Sequence, residues 1–205
     1  MAGEGFKGPS QAFEGQWGYL HSYASGGDVK KATNGLGEEF ETLNLGVKPY
    51  PSCRYSHAAI DGLIELKKEL KFSSDDLDDI DIGLSETALN IIGYPLTDKQ
   101  HPKSVVDGQF SMPFCAAVTV KSGGLQWDDY KNHLNNKDTL SLCNKIKVSP
   151  DEDAEKCCPE YMSAKVKVVV KGEKYEKFVK IPKGEPENFM EDVEFISKFK
   201  GLTEL

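Results

Sequence analysis

The chain has 205 residues, with 33 acidic against 25 basic side chains and a net charge of −8. That length supports a real hydrophobic core, in one domain or two small ones, and 39% hydrophobic with 28% charged residues is the balance of a soluble globular protein. The acidic excess, with no basic stripe to offset it, argues against a nucleic-acid partner, and no apolar run approaches the roughly 20 residues of a membrane span.

The first 40 residues are rich in glycine and carry one expected helix, about Pro9 to Ala24. Pro9 suits a first helical turn, Phe13, Trp17 and Leu20 recur at helical spacing, and Gly26-Gly27 stops the run. Residues 43–48 read as a strand. His57 to Leu70 reads as a helix, with Ile60, Leu63, Ile64 and Leu70 on one face and Glu65, Lys67, Lys68 and Glu69 on the other. Ser73 to Asp79 is an acidic loop and Ile80 to Ser85 alternates as a strand. The run Asp75, Asp76, Asp78, Asp79 and Asp81 suggests calcium but lacks the glycine and closing glutamate of a calcium loop, so a solvated loop is the better reading.

Residues 104–121 read as helix, ended by Gly123-Gly124 and kinked or shortened by Pro113. Trp127 and Tyr130 fall in a short helical piece, Thr139 to Asn144 in another, and Ile146 to Val148 is a strand candidate. Ala164 to Ile181 is the clearest hairpin. Val166, Val168 and Val170 alternate with polar groups, Gly172 lies in the turn, and Tyr175 to Ile181 returns. Asn188 to Phe199 reads as a last helix, with Met190, Val193, Ile196 and Phe199 at three-residue steps. The mixture is α+β: a small mixed sheet with a β-hairpin and packing helices, flanked by further helices at both ends.

The densest chemistry lies in Lys48-Pro49-Tyr50-Pro51-Ser52-Cys53-Arg54-Tyr55-Ser56-His57. Two prolines hold the entry extended until a helix begins near Ser56. Polar groups gathered where a stiff segment meets a helix N-terminus make a candidate anion site. Lys48 offers a point charge and Arg54 a bidentate fork for a carboxylate. His57 titrates near neutral pH in its ordinary state. It reads equally as a catalytic group or as a helix-start histidine satisfied in the core. Cys53 reads equally as a site thiol or a packed small residue. His21, His101 and His133 are isolated. The five cysteines are odd in number and irregularly spaced, and Met1–Phe6 has neither the basic start nor the apolar stretch of a secretion signal. Reduced thiols are therefore expected, in a cytoplasmic protein, or a mitochondrial one if a preceding segment carries a transit peptide. Cys157-Cys158 reads as a loop with two free thiols rather than a metal site, because no nearby histidine completes a zinc set. No metal or organic cofactor is expected.

The Lys48–Asp61 run resembles the central signature of the MmgE/PrpD family, whose members include 2-methylcitrate dehydratase, cis-aconitate decarboxylase and iminodisuccinate epimerase. Asp107-Gly108-Gln109-Phe110-Ser111-Met112-Pro113-Phe114 is similar to a second family segment. Gly8-Pro9 with Phe13-Glu14-Gly15 and Gly18 resembles a third, and Gly184-Glu185-Pro186-Glu187-Asn188-Phe189-Met190 followed by Lys198-Phe199 a fourth. The four occur in the family's order. The resemblance implies a lid-type α+β domain at residues 43–182, with residues 1–42 and 183–205 as pieces of a large helical domain. It further implies a chain that corresponds to the second half of the family's longer members, as a truncated or split product.

The function it implies is that of a cofactor-independent lyase or isomerase, 2-methylcitrate dehydratase-like, which moves a proton beside a carboxylate of a small di- or tricarboxylate. His57 and Cys53 are then the catalytic candidates, and Lys48, Arg54, Gln109 and Ser111 the substrate-binding ones. Cis-aconitate decarboxylases of the family place a histidine where Cys53 stands, a departure that speaks against decarboxylation. The alternatives are an iminodisuccinate epimerase-like isomerase, or a non-catalytic paralogue that pairs with a full-length relative. The expected partners are a small polycarboxylate and either a second copy of the chain or a complementary helical-domain chain. On this reading the isolated chain turns over slowly.

Overall fold

Apolar residues at every second position of three consecutive ladder strands decide where the core lies. The computed structural model describes residues 2–25 and 27–203. They fall into two units, Met1–Asn44 and Leu45–Leu205. In the second unit β1 (Leu77–Leu84) pairs in parallel with β2 (Ile146–Pro150) and antiparallel with β3 (Ala164–Val170). The hairpin partner β4 (Glu173–Val179) closes the order β2-β1-β3-β4. Leu77, Ile80, Ile82 and Leu84 of β1 and Ala164, Val166, Val168 and Val170 of β3 are buried together on one face. The other face carries charge: Lys147 reaches Asp79 at 2.9 Å, and Ser149 donates to Asp81 at 2.9 Å. The aspartates of the acidic run are thus spread over separate partners, since Asp76 pairs with Lys171 at 3.0 Å and Asp78 accepts from the Gly172 N–H at 2.9 Å. The structure is α+β with a mixed four-stranded sheet, as the pattern predicts.

Helix α2 (His57–Leu70) covers the buried face and keeps its expected bounds. Its approach is close: a Cβ on Gly62 would meet Val166 at 3.0 Å. The parallel β1–β2 pair requires a crossover, and the segment between them supplies short helices: α3 (Glu86–Ala88), α4 (Leu96–Lys99), α5 (Val105–Gln109), α6 (Met112–Ser122), α7 (Asp129–His133) and α8 (Lys137–Cys143). Helix α6 is the central one. Met112 through Val120 are all buried, because α2, α8 and β2 surround it. Pro113, expected to kink or shorten a longer helix, lies in the first turn of α6, where its missing N–H costs nothing. Ser111 caps that end by accepting the Phe114 N–H at 3.0 Å, and Gly123 at φ +81° ends the other. A further helix, α9 (Glu152–Cys157), is capped by Asp151, and α10 (Asp192–Thr203) is the last element. Helices α3, α4 and α9 are too short to show a periodic pattern in the sequence.

The first unit differs more from expectation. Among its described residues only Tyr19–Ala24 is α-helical (α1), and residues 10–17 form turns. Gly15 and Gly18 explain this. Each sits where a Cβ would meet backbone oxygen within 3 Å, and glycine disfavours helix interiors. No apolar side chain among the described residues of this unit is buried, so no packing compensates, and Trp17 is 88% exposed. Gly26, half of the expected stop, lies outside the described residues. Residues 45–48 carry no ladder. Val47 instead makes a single 2.7 Å bond from its N–H to the Gly184 carbonyl.

Candidate functional site

The proline-stiffened run becomes a strap whose carbonyls are nearly all engaged. The Ser52 N–H donates to the Tyr50 carbonyl at 2.9 Å. The Pro51 carbonyl accepts from Gln109 Nε2 at 3.1 Å and from the Tyr130 hydroxyl at 2.9 Å. The Ser52 carbonyl accepts from Lys48 Nζ at 3.3 Å and faces His57 Nε2 at 3.4 Å. The Cys53 carbonyl accepts from Ser56 Oγ at 2.8 Å, while the Cys53 N–H donates to the Gln109 carbonyl at 2.9 Å. Lys198 Nζ, from α10, donates to the Lys48 carbonyl at 2.7 Å. Proline cannot donate to a ladder, so the strap is held by side chains instead of a sheet. A single turn, Arg54–Ser56, then feeds into α2.

This strap walls a pocket of about 350 Å³, whose polar groups come from Lys48, Cys53, Gln109, Gln126 and Lys198, with Tyr50, Phe110 and Trp127 among its aromatic walls. Each lysine makes one bond to the strap and keeps further donors, since an ammonium has three. Lys48, Cys53 and Gln109, all expected at a substrate, thus come together. Lys198 and Trp127 join them and were not singled out from the sequence. The recurrence of Lys198-Phe199 in the fourth motif is the signal that marks Lys198.

Arg54, His57 and Ser111 lie outside this lining. Ser111 is fully buried; it caps α6 and donates to the Lys99 carbonyl. Arg54 is turned inward. Its Nε and Nη2 donate to Glu185 Oε1 at 2.8 and 2.5 Å, and its Nη1 reaches the Lys183 carbonyl at 3.0 Å and His57 Nδ1 at 2.9 Å. His57 has no exposed surface. Burial, reinforced by the Arg54 guanidinium, pushes its imidazole down to about 3. The ring is therefore neutral near pH 7, and the Arg54 N–H at Nδ1 assigns the proton to Nε2. Cys115 and Cys143 are buried, and burial pushes each thiol up to about 12, which keeps both as inert thiols.

Behind the strap, Asp61 of α2 accepts the Tyr50 hydroxyl at 2.6 Å and the Lys183 N–H at 2.7 Å. Burial raises both the Tyr50 phenol and the Asp61 carboxyl, and those two hydrogen bonds oppose the rise at Asp61. This pair ties the strap to α2 and to the segment that carries Glu185. Among the described residues no group of three His, Cys, Asp or Glu side chains is placed to hold a metal ion. No helix among them is long and apolar enough to cross a membrane.

The fold and the pocket define an α+β domain that presents cationic side chains and one thiol around a proline-stiffened strap at a helix start. The chain belongs to the MmgE/PrpD family: the family model described as the MmgE/PrpD C-terminal domain matches residues 50–205. A curated relative, the cis-aconitate decarboxylase-like protein oryM of Aspergillus oryzae (strain ATCC 42149 / RIB 40), is 24% identical over 200 residues. That match covers 90% of this chain and 40% of the relative.

Proposed function

We propose that the chain forms one wall of a cofactor-independent lyase or isomerase acting on small di- or tricarboxylates, with 2-methylcitrate dehydratase-like chemistry as the first candidate. The observation that carries this reading is the convergence of Lys48, Lys198, Cys53 and Gln109 on one pocket. Two ammonium groups on one wall suit a substrate with two carboxylates. Cys53, on the same lining, is the candidate for proton transfer on this wall. The pocket volume, about 350 Å³, is at the small end for ligand sites and suits a compact polyacid.

The name of the Aspergillus relative raises decarboxylation as a rival reaction, against which stands Cys53 in place of the family decarboxylases' histidine. A second reading is a carboxylate-binding chain that does no chemistry alone, and one observation favours it: the guanidinium of Arg54 and the imidazole of His57 are both engaged inside the protein. One experiment tests these readings. The purified chain is titrated calorimetrically with citrate, tricarballylate and cis-aconitate, and the same acids are screened for turnover. Binding should weaken with added salt and fall roughly 10- to 100-fold in Lys48→Ala, the loss of a charged hydrogen bond. Lys165→Ala should bind as the parent does, since Lys165 is paired with Asp153 at 2.6 Å on the hairpin. Turnover of any of these acids supports the first reading, whereas binding with no turnover is the outcome both readings expect of one wall alone. Equal affinity in the parent and Lys48→Ala would remove the basis for both.

A further inference from the structure

The fourth sequence motif places Glu185 beside the strap, 131 residues from the arginine it holds. We propose that Glu185 and Arg54 are positioning residues, which hold His57 as a fixed neutral spacer and thereby set the Ser52 carbonyl, Lys48 and Cys53 at the pocket wall. The inference rests on the reading above only in naming that wall as the substrate's.

The geometry runs in one direction. Glu185 Oε1 accepts two N–H groups of Arg54, and the Lys183 carbonyl takes a third. The guanidinium is thereby fixed in plane, and the pair is only partly exposed, 14% and 26%. Arg54 Nη1 then donates to His57 Nδ1 at 2.9 Å. A guanidinium has only donors, so Nδ1 must be a lone-pair acceptor and the ring proton must sit on Nε2. That proton points at the Ser52 carbonyl, 3.4 Å away, which Lys48 Nζ also approaches at 3.3 Å. One carbonyl therefore meets both the buried imidazole and the pocket lysine. Cys53 is the next residue, and its N–H is separately tied to Gln109. The cations that act on the ring are Arg54, Lys48 and Lys198, and the Tyr50 ring, itself bonded to Asp61, stands edge-on at 5.2 Å. The cations oppose protonation of His57, so the spacer stays neutral while its surroundings carry charge.

A second ring proton would abolish the Arg54 contact, and a bare Nδ1 would leave the strap without its backing. Lysine at position 54 cannot make the same set of bonds, because it lacks the planar fork. The amide introduced by His57→Gln could reproduce both contacts through its oxygen and nitrogen, whereas the ring introduced by His57→Phe could make neither.

The experiment needs no substrate for its main readout. Nitrogen-15 histidine spectra of the whole chain are recorded from pH 8 to pH 5. His57 should show the Nε2–H tautomer throughout with no titration. A doubly protonated or Nδ1–H ring in the parent protein overturns the proposal without any variant. Glu185→Ala, Arg54→Lys, His57→Gln and His57→Phe are then compared, each checked for a cooperative melt. In Glu185→Ala and Arg54→Lys the His57 signal should shift or begin to titrate, and the iodoacetamide rate at Cys53, read by peptide mapping, should change. Cys115 and Cys143, both buried, should stay protected. His57→Gln should keep the parent rate at Cys53, and His57→Phe should not. Parent-like His57 spectra and Cys53 rates in Glu185→Ala overturn the proposal. Calorimetry with citrate separates the two claims. Absent binding with the expected spectra and alkylation pattern defeats the carboxylate reading alone. Intact binding with a parent-like Glu185→Ala defeats the positioning role alone.

Discussion

Gly184→Ala should be the most damaging conservative change in the segment that clamps the strap. Gly184 sits at φ +89°, and a Cβ there would lie 1.9 Å from the Val47 carbonyl oxygen. Left-handed backbone costs a non-glycine residue about 1–2 kcal/mol. The clash must also push apart the 2.7 Å bond from the Val47 N–H to the Gly184 carbonyl, worth about 0.5–1.5 kcal/mol. Together these give about 1.5–3.5 kcal/mol. In a chain of this size each kcal/mol moves the melting temperature about 2–4 °C, so the expected fall is about 3–14 °C. Gly123→Ala is the control, because Gly123 also has a positive φ, +81°, with nothing within 4 Å of its Cβ position. It should lose only the conformational part, about 1–2 kcal/mol. Differential scanning calorimetry of the two variants checks this. Equal losses would show that close approach at Val47 plays no part, and that the clamp segment is not seated as described.

Three further outcomes are expected. His57 has its folded pKa pressed from 6.5 to about 3, so the unfolded chain takes up a proton that the folded one refuses. That contribution is complete above pH 6.5 and is lost as pH falls toward 3, at up to about 1.4 kcal/mol per pH unit. Urea melts at pH 6.5 and 5.0 should show the parent losing roughly 2 kcal/mol more than His57→Gln; Asp61, which works in the opposite sense, is present in both and cancels. Tyr50→Phe removes the hydroxyl donated to Asp61 at 2.6 Å and should cost about 1.5–3 kcal/mol in urea unfolding, with a neutral result meaning that Asp61 finds water instead. Val193, Ile196, Phe199 and Leu202 of α10 are each more than half exposed, a face that seldom stays bare, so light scattering at roughly micromolar concentrations should show self-association; a clean monomer there would tell against it.

The elements legible in the sequence are those that bury one face on local periodicity alone. Helix α2 and the β3–β4 hairpin have that property. So does β1, although its first turn of pairing lay under an acidic run that read as loop. The glycines at 15 and 18 outweighed the aromatic spacing of Phe13 and Trp17, because nothing in that unit buries the aromatics. Helices α3 and α4 are too short for a periodic signal. At the site, Lys48, Cys53 and Gln109 were readable because they lie on or beside a stiff segment. Arg54 reads as facing substrate, and His57 as facing either substrate or the core, since nothing near them in the chain announces a carboxylate partner; Glu185 arrives from 131 residues away. Side-chain direction at such positions is a tertiary property, and a residue-type pattern carries no record of it.

Helix α10 supplies Lys198 and Leu202 to the pocket wall, yet none of its residues is buried. Its polar attachments are the Lys198 bond to the Lys48 carbonyl and the Lys183–Glu194 pair at 3.0 Å, beside the Phe195 ring 5.6 Å from Phe189. A helix held this way opens at a small fraction of the free energy needed to unfold the sheet and α2. Amide exchange along α10 should therefore run through local opening, orders of magnitude faster than in α6, whose residues Met112 to Val120 are sealed. The pocket wall made by α10 should then exchange its amides faster than the wall made by the strap, whose backbone is tied to Gln109 and Tyr130.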